Sequence, residues 1–132
     1  MTDLMAPQRI VTFPQGLPGF EASRQFVLLA SATLAPFTLL QGAGPEAPAF
    51  VAIDPLLVDP DYSSRLGSED LARLQAAPEA PLLWLALVAS APDGSATVNL
   101  RAPIVINPAS MRGIQLLCRD SQYGLTHPLG AG

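Results

Sequence analysis

Short apolar runs set the strongest limit on how this chain of 132 residues folds. Eight runs of apolar or alternating residues, bounded by Gly, Pro, Asn or Asp, cover residues 9–13, 25–30, 37–41, 49–54, 82–90, 96–101, 104–107 and 114–118. Runs this short, enriched in β-branched and aromatic residues and separated by turn formers, are typical of β-strands. The pattern therefore predicts an all-β fold.

The connection between the fifth and sixth runs has the composition of a tight hairpin. In APDGS, residues 91–95, Pro92 and Asp93 precede Gly94. Glycine adopts a positive φ without steric cost, and tight hairpin turns require that conformation. We therefore expect a hairpin here with Gly94 at positive φ.

One segment departs from the strand pattern. In GSEDLARLQAAP, which starts at Gly67, Ser68 is a candidate N-cap, two acidic residues follow it, and Pro78 is placed to end a helix. Acidic side chains favour the positively polarised first turn of a helix. The sequence therefore predicts one short helix near residues 68–77. The preceding residues 54–66 contain two Pro and three Asp, which predicts a long surface loop of a kind that is often functional.

The segment FPQGLPGF, residues 13–20, combines two Phe, two Pro and two Gly without a charge. Glycine-rich turns bind phosphate through backbone N–H groups. A phosphate site is a poor match here because Pro14 and Pro18 lack N–H donors, and no Lys, Ser or Thr directly follows either glycine. The segment instead predicts a sharp turn held by buried rings of Phe13 and Phe20.

Charge and composition narrow the classes of partner. The formal net charge is −4, and all seven cationic residues are Arg. The absence of Lys excludes Schiff-base chemistry and the lysine of a phosphate-binding loop. A negative net charge also disfavours direct nucleic-acid binding, which usually needs a basic face. Charged residues make up only 14% of the chain, so we expect apolar surface to remain for a partner, and a basic protein is the better match.

The chain lacks the residue clusters that catalysis or metal binding requires. His127 is the only His, and no nucleophile, zinc or phosphate-loop motif occurs. The single cysteine, Cys118, cannot form an internal disulfide, and its apolar neighbours predict a small core residue. The first ten residues show no secretion signal, and the longest uncharged run is too short to span a bilayer. We expect a cytoplasmic protein that is not an enzyme.

Five segments of the chain resemble the FliW family of flagellar assembly factors. They are FPQGLPGFE, PFTLLQ, AIDP, TVNLRAPIVIN and DSQYGLTHPL, in the order and spacing of that family. Their combination is much more specific than GLPGFE alone. The residues of these motifs for which we expect structural roles are Phe13, Gly16, Pro18, Gly19, Phe20, Asn99, Pro103, Asn107, Tyr123, His127 and Pro128.

The resemblance implies a small, mainly antiparallel β-barrel, one domain over residues 1–132, without catalysis or cofactor. It implies a cytoplasmic, monomeric regulator with two protein partners, flagellin and the translational repressor CsrA. A free family member sequesters CsrA, so flagellin is translated. Flagellin that accumulates occupies the family member, and CsrA represses again.

Two alternatives remain open at this point. The protein could be a dedicated flagellin chaperone without the CsrA branch, which the sequence does not distinguish from the first hypothesis. Small β-barrels also bind nucleic acid through aromatic stacking and cations. Few aromatics and a negative charge weigh against that function.

The acidic loop is the candidate partner-binding surface. Because an RNA-binding repressor carries cations, acids on one loop would accelerate association, and neighbouring apolar side chains would hold the complex. The candidate residues are Asp54, Leu56, Leu57, Asp59, Asp61 and Tyr62.

The sequence also predicts how the two ends of the chain relate to the barrel. Tyr123, Leu125 and Leu129 alternate with polar neighbours, which predicts that this segment closes the barrel as its last strand, with His127 in a structural role. Gln122 stands where the family pattern has Pro. Members of the resembled family usually begin with an additional strand ahead of the GLPGF segment. The residues before Arg9 have no strand pattern, which predicts either a misplaced start codon or an exposed sheet edge.

Overall fold

The computed structural model of the protein describes residues 9–44, 46–117 and 122–129. Within these residues the chain forms eight strands and two short helices. The strands are β1 (Arg9–Thr12), β2 (Gln25–Leu29), β3 (Phe37–Gly42), β4 (Ala49–Ile53), β5 (Leu83–Ser90), β6 (Ala96–Asn107), β7 (Arg112–Gln115) and β8 (His127–Pro128). The helices are α1 (Pro55–Val58) and α2 (Ser68–Leu74).

Seven strands in the described part of the chain close into a barrel. They pair in the order β5-β4-β3-β2-β1-β7-β6, and β6 pairs with β5 to complete the ring. All neighbouring pairs are antiparallel except β1 and β7, which are parallel. The prediction of a small, mainly antiparallel β-barrel is therefore confirmed.

The interior of the barrel is filled by apolar side chains from six strands and from the turn that follows β1. The buried members of this cluster are Val11, Phe13, Leu17, Phe26, Leu28, Leu40, Ala52, Leu85, Ile104 and Ile106. The rings of Phe13 and Phe26 meet edge to face with centroids 5.5 Å apart. Each fully buried side chain of this kind stabilises the fold by about 1.5–3 kcal/mol.

Two more apolar clusters lie on the outside of the barrel, because outward positions of β4 to β7 are also apolar. One lies over β4, β5 and β6 and includes Tyr62 and, partly buried, Tyr123. The other lies over β6 and β7, where α2 inserts the fully buried Leu74. The segments that follow α1 and precede β8 therefore act as covers for the sheet.

Strand β6 is a single strand of 12 residues, whereas the sequence predicted two strands, at residues 96–101 and 104–107. The expected break at Pro103 is absent because β6 bulges there. Its pairing with β5 shifts between Leu85 and Leu87, so residues 100–103 face only Ala86. A bulge accommodates proline, which has no N–H to donate to the ladder.

Two asparagines of the family motif hold β6 in this shape. The side-chain oxygen of Asn99 accepts hydrogen bonds from the N–H groups of Arg101 (3.1 Å) and Ala102 (2.9 Å). The buried Asn107 donates to the carbonyls of Leu74 (3.0 Å) and Gln75 (3.2 Å), which end α2. Helix carbonyls at this position have no partner within the helix, so Asn107 joins α2 to the barrel.

The FPQGLPGF segment forms a sharp turn, as predicted. Gly16 and Gly19 have positive φ angles of 68° and 87°, and the N–H of Gly16 donates to the carbonyl of Phe13 at 2.8 Å. Phe13 is fully buried, but Phe20 is 44% exposed. The expectation of two buried rings is therefore wrong for Phe20, which packs edge to face on Phe50 at 5.4 Å instead. Pro18 lies exposed between the two glycines.

The predicted hairpin and helix are present with different details. Gly94 has a φ of 89°, which confirms the turn between β5 and β6. Helix α2 begins at Ser68, so Gly67 occupies the N-cap position expected for Ser68, and the Asp70 carboxylate accepts from the N–H of Gly67 at 2.9 Å. The helix ends at Leu74, before the expected position, because Gln75 adopts a left-handed conformation.

The C-terminal segment does not close the barrel, which corrects the prediction. His127 and Pro128 form β8, which pairs with Thr97 and Val98 of β6, while closure is made by β5 and β6. Tyr123 and Leu129 pack against the outer cluster, but Leu125 is exposed.

Three sequence expectations concern residues outside the described ranges. They are the exposed edge ahead of Arg9, the core placement of Cys118, and the part of the DSQYGLTHPL motif that precedes Gln122.

Candidate protein-binding surface

Helix α1 forms because the sequence supplies both a cap and a first-turn proline. The Asp54 carboxylate accepts a hydrogen bond from the N–H of Leu56 at 2.9 Å, and Pro55 occupies the first helical position. Aspartate is a favoured N-cap, and proline at the first position has no N–H that would need a partner. The loop predicted for residues 54–66 therefore begins with a helical turn that the strand pattern did not indicate.

A second aspartate, Asp59, forms the turn that follows α1. The Asp59 carboxylate accepts from the N–H of Asp61 at 2.9 Å, and the Asp59 carbonyl accepts from the N–H of Tyr62 at 2.9 Å. Aspartate commonly closes such turns with its own side chain. Two of the three candidate acids thus hold the backbone, while Asp61 is exposed and its carboxylate accepts no hydrogen bond from any described residue.

Tyr62 differs from the sequence expectation of a surface contact. It is 8% exposed and belongs to the outer apolar cluster. Its hydroxyl donates to the carbonyl of Leu100 at 2.8 Å, and its ring stacks on Tyr123 with centroids 4.5 Å apart. The Tyr123 hydroxyl accepts from the N–H of Ser63 at 3.1 Å. Tyr62 is therefore an anchor of the loop rather than an exposed contact.

The anchored loop presents two leucines to solvent. Leu56 is 52% exposed and Leu57 is 62% exposed. Leu56 borders a cleft of about 310 Å³, which is lined by Asp54, Pro55, Leu56, Tyr62, Ser63, Ser64, Leu82, Leu83 and Trp84. Leu56 and Leu57 are thus adjacent exposed leucines beside a cleft, and exposed apolar patches commonly bind proteins.

We call the exposed side chains of Asp54, Leu56, Leu57 and Asp61, together with this cleft, the α1 surface. It combines apolar contact area with carboxylates that attract a cationic partner. Its rigidity comes from Pro55, Tyr62 and the two aspartate hydrogen bonds, so little conformational entropy is lost when a partner binds.

Sequence reasoning missed the floor of the cleft. Leu82, Leu83 and Trp84 belong to an apolar run that predicts a buried strand, yet Trp84 is only partly buried. The only sequence signal was the presence of a single Trp, because its large ring is rarely covered completely in a chain of this size.

The described residues contain no group of three or more His, Cys, Asp or Glu side chains close enough to hold a metal ion. Among the same residues, no helix has the length and apolar character to cross a membrane. His127 is half-buried, and its backbone pairs with Val98.

Comparison with known proteins agrees with the fold and the motifs. The family described as FliW protein matches residues 4–129. The flagellar assembly factor FliW of Natranaerobius thermophilus is 39% identical over 92% of this chain and 82% of its own length. The corresponding protein of Thermotoga maritima is 33% identical over 95% of this chain and 85% of its own length.

A solved structure extends the comparison to three dimensions. The crystal structure of a flagellar assembly factor FliW superposes with a TM-score of 0.84 at 36% identity, covering 94% of this chain and 87% of the other. The agreement spans the barrel and its motifs together. The chain belongs to the FliW family of flagellar assembly factors.

Proposed function

We propose that this protein is a cytoplasmic, non-catalytic, monomeric regulator that sequesters the translational repressor CsrA and is itself bound by flagellin. Binding of flagellin releases the repressor, so flagellin translation follows the consumption of flagellin by the growing filament. The observation that carries the proposal is membership of the FliW family over residues 4–129. Under this proposal no cofactor takes part.

The α1 surface supports the proposal as the site for a cationic partner. Asp54 and Asp61 are exposed beside the two leucines. Two unit charges about 10 Å apart in water interact by roughly 0.4 kcal/mol, and salt screens them over about 8 Å. The acids therefore affect the rate of association, whereas burial of Leu56 and Leu57 supplies most of the affinity.

Binding kinetics with purified CsrA from the source organism test this assignment. Asp61→Arg leaves the local hydrogen bonds intact, and we expect it to slow association several-fold at low salt and less at high salt. The double variant Asp59→Arg with Asp61→Arg should be slower still. Leu57→Ser should mainly accelerate dissociation, because it removes contact area.

Glu46→Arg is the matched control, since Glu46 is an exposed acid before β4, while α1 follows the other end of that strand. Its association rate should remain near that of the wild type. If all three charge variants associate equally fast, the repressor binds another face of the barrel. Flagellin binding should persist in the Asp61 variant.

A flagellin chaperone without the CsrA branch is the second candidate function. It would bind flagellin and fail to bind CsrA at any salt concentration. The presence in the source genome of a CsrA with an extended C-terminus distinguishes the two functions. Direct RNA binding is the third candidate, and a low-salt gel-shift assay with flagellin leader RNA tests it.

A further inference from the structure

A second groove lies between the FPQGLPGF turn, α2 and β7. It has a volume of about 330 Å³. Its lining residues include Pro14, Pro18, Glu21, Arg73, Arg112 and Leu117. It shares no lining residue with the cleft of the α1 surface, and we call it the Arg112 groove.

The charged side chains of the Arg112 groove differ in whether they already have a partner. The Arg73 guanidinium lies 3.9 Å from the Asp70 carboxylate. Glu21 accepts a hydrogen bond from the N–H of Gly19 at 3.0 Å, which lowers the pKa of its carboxyl and keeps that group ionised. Arg112 is half-buried, and within the described ranges no carboxylate lies within ion-pair distance of it.

A guanidinium on a half-buried residue, with no carboxylate of the described ranges within ion-pair distance, favours an anionic ligand. The guanidinium has five N–H donors in a planar fork that matches a carboxylate. The rest of the wall is partly apolar and includes the prolines of the turn, Ile114 and Leu117. Leu117 is 61% exposed, so the groove offers contact area for apolar side chains beside its cation.

We propose that the Arg112 groove binds a peptide segment of a protein partner that carries one carboxylate flanked by apolar side chains, with Arg112 as the carboxylate anchor. The charge of Arg112 is complementary to this carboxylate and opposite in sign to the carboxylates of the α1 surface, while the Glu21 carboxylate of the groove is engaged by the Gly19 N–H. A nucleic acid is a poorer match, since its regularly spaced phosphates require several cations. This goes beyond the proposed function, because it assigns a second docking surface whose occupant differs in charge from a cationic repressor.

Titration of the ¹⁵N-labelled full chain with N-acetyl-Leu-Glu-Leu-amide tests the proposal by NMR. Gly16, Gly113 and Gln115 line the groove, and we expect their backbone amide resonances to shift and saturate. The matched peptide N-acetyl-Leu-Gln-Leu-amide should bind about fivefold more weakly, since it lacks the charge-assisted hydrogen bonds. This comparison uses the wild-type protein and needs no variant to fold.

Arg112→Gln should abolish the preference for the Glu peptide. Arg9→Gln is the matched control and should preserve the preference, because Arg112 pairs with Thr12 at one end of β1 and Arg9 lies at the other end. The proposal is overturned if neither peptide produces saturable shifts, if the two peptides bind equally to the wild type, or if the shifts map to the α1 surface. Inorganic phosphate that shifts the same amides with equal affinity would also overturn it, because a general anion site would then explain the result.

Discussion

The two glycines of the signature turn provide a matched test of what the turn requires. Both have positive φ angles, 68° at Gly16 and 87° at Gly19. An L-residue in the left-handed region costs about 1–2 kcal/mol. We therefore expect both Gly16→Ala and Gly19→Ala to destabilise the protein by at least that backbone term.

The space around the two positions differs. A Cβ at Gly16 would lie 2.6 Å from the Cα of Glu21 and 2.7 Å from its carbonyl oxygen, whereas a Cβ at Gly19 would meet nothing within 4 Å. Backbone atoms cannot rotate away as a flexible side chain does, so the turn itself must shift in Gly16→Ala. We expect a loss of about 1–2 kcal/mol for Gly19→Ala and roughly 3–5 kcal/mol for Gly16→Ala.

Urea denaturation followed by fluorescence of Trp84, the only Trp in the sequence, measures both values. Gly19→Val adds a β-branched side chain and should lose about 1–3 kcal/mol while still binding flagellin. Equal losses for the two alanine variants would refute the steric part of the argument. A Gly19→Val variant as stable as the wild type that no longer binds flagellin would show that the turn is a recognition element instead.

Three further predictions concern other contacts. Tyr62→Phe removes the buried hydrogen bond to the Leu100 carbonyl and should lower the free energy of unfolding by about 1–3 kcal/mol; a loss near zero would mean that this bond is not needed to anchor the loop. Asn107→Ala removes the side-chain donor of the Gln75 carbonyl and leaves the Leu74 carbonyl with the Ser110 hydroxyl as its side-chain donor, at 2.8 Å, so it should cost about 1–3 kcal/mol and increase amide hydrogen exchange in α2 before other elements. The Ser95 hydroxyl and N–H hold the pKa of Asp93 below its ordinary 3.8, so stability from this group is present above that value and is lost as the pH falls through the lowered pKa. Between about pH 5 and pH 2 the melting temperature should therefore fall more steeply with decreasing pH for the wild type than for Asp93→Asn. Melting temperatures that fall in parallel would contradict the assignment.

Local patterns were sufficient to predict most of the strands. The runs around Phe26, Leu40 and Ala52 became β2, β3 and β4 within a residue or two of the predicted bounds, because turn residues interrupt the apolar pattern at each end. The positive φ angle at Gly94 also followed from local chemistry, since glycine adopts this conformation without a Cβ clash. The family was recognisable from motif order alone.

The tertiary structure decided what local patterns leave open. An apolar residue at a strand position does not reveal which face will be covered, so the sequence placed Phe20 and Leu125 inside and Tyr62 outside, and all three are reversed. Pro103 lies within β6 because a bulge opposite Ala86 removes the need for its N–H, and that depends on a partner strand. The α1 surface and the Arg112 groove also depend on long-range packing, because each joins segments that are distant in the chain.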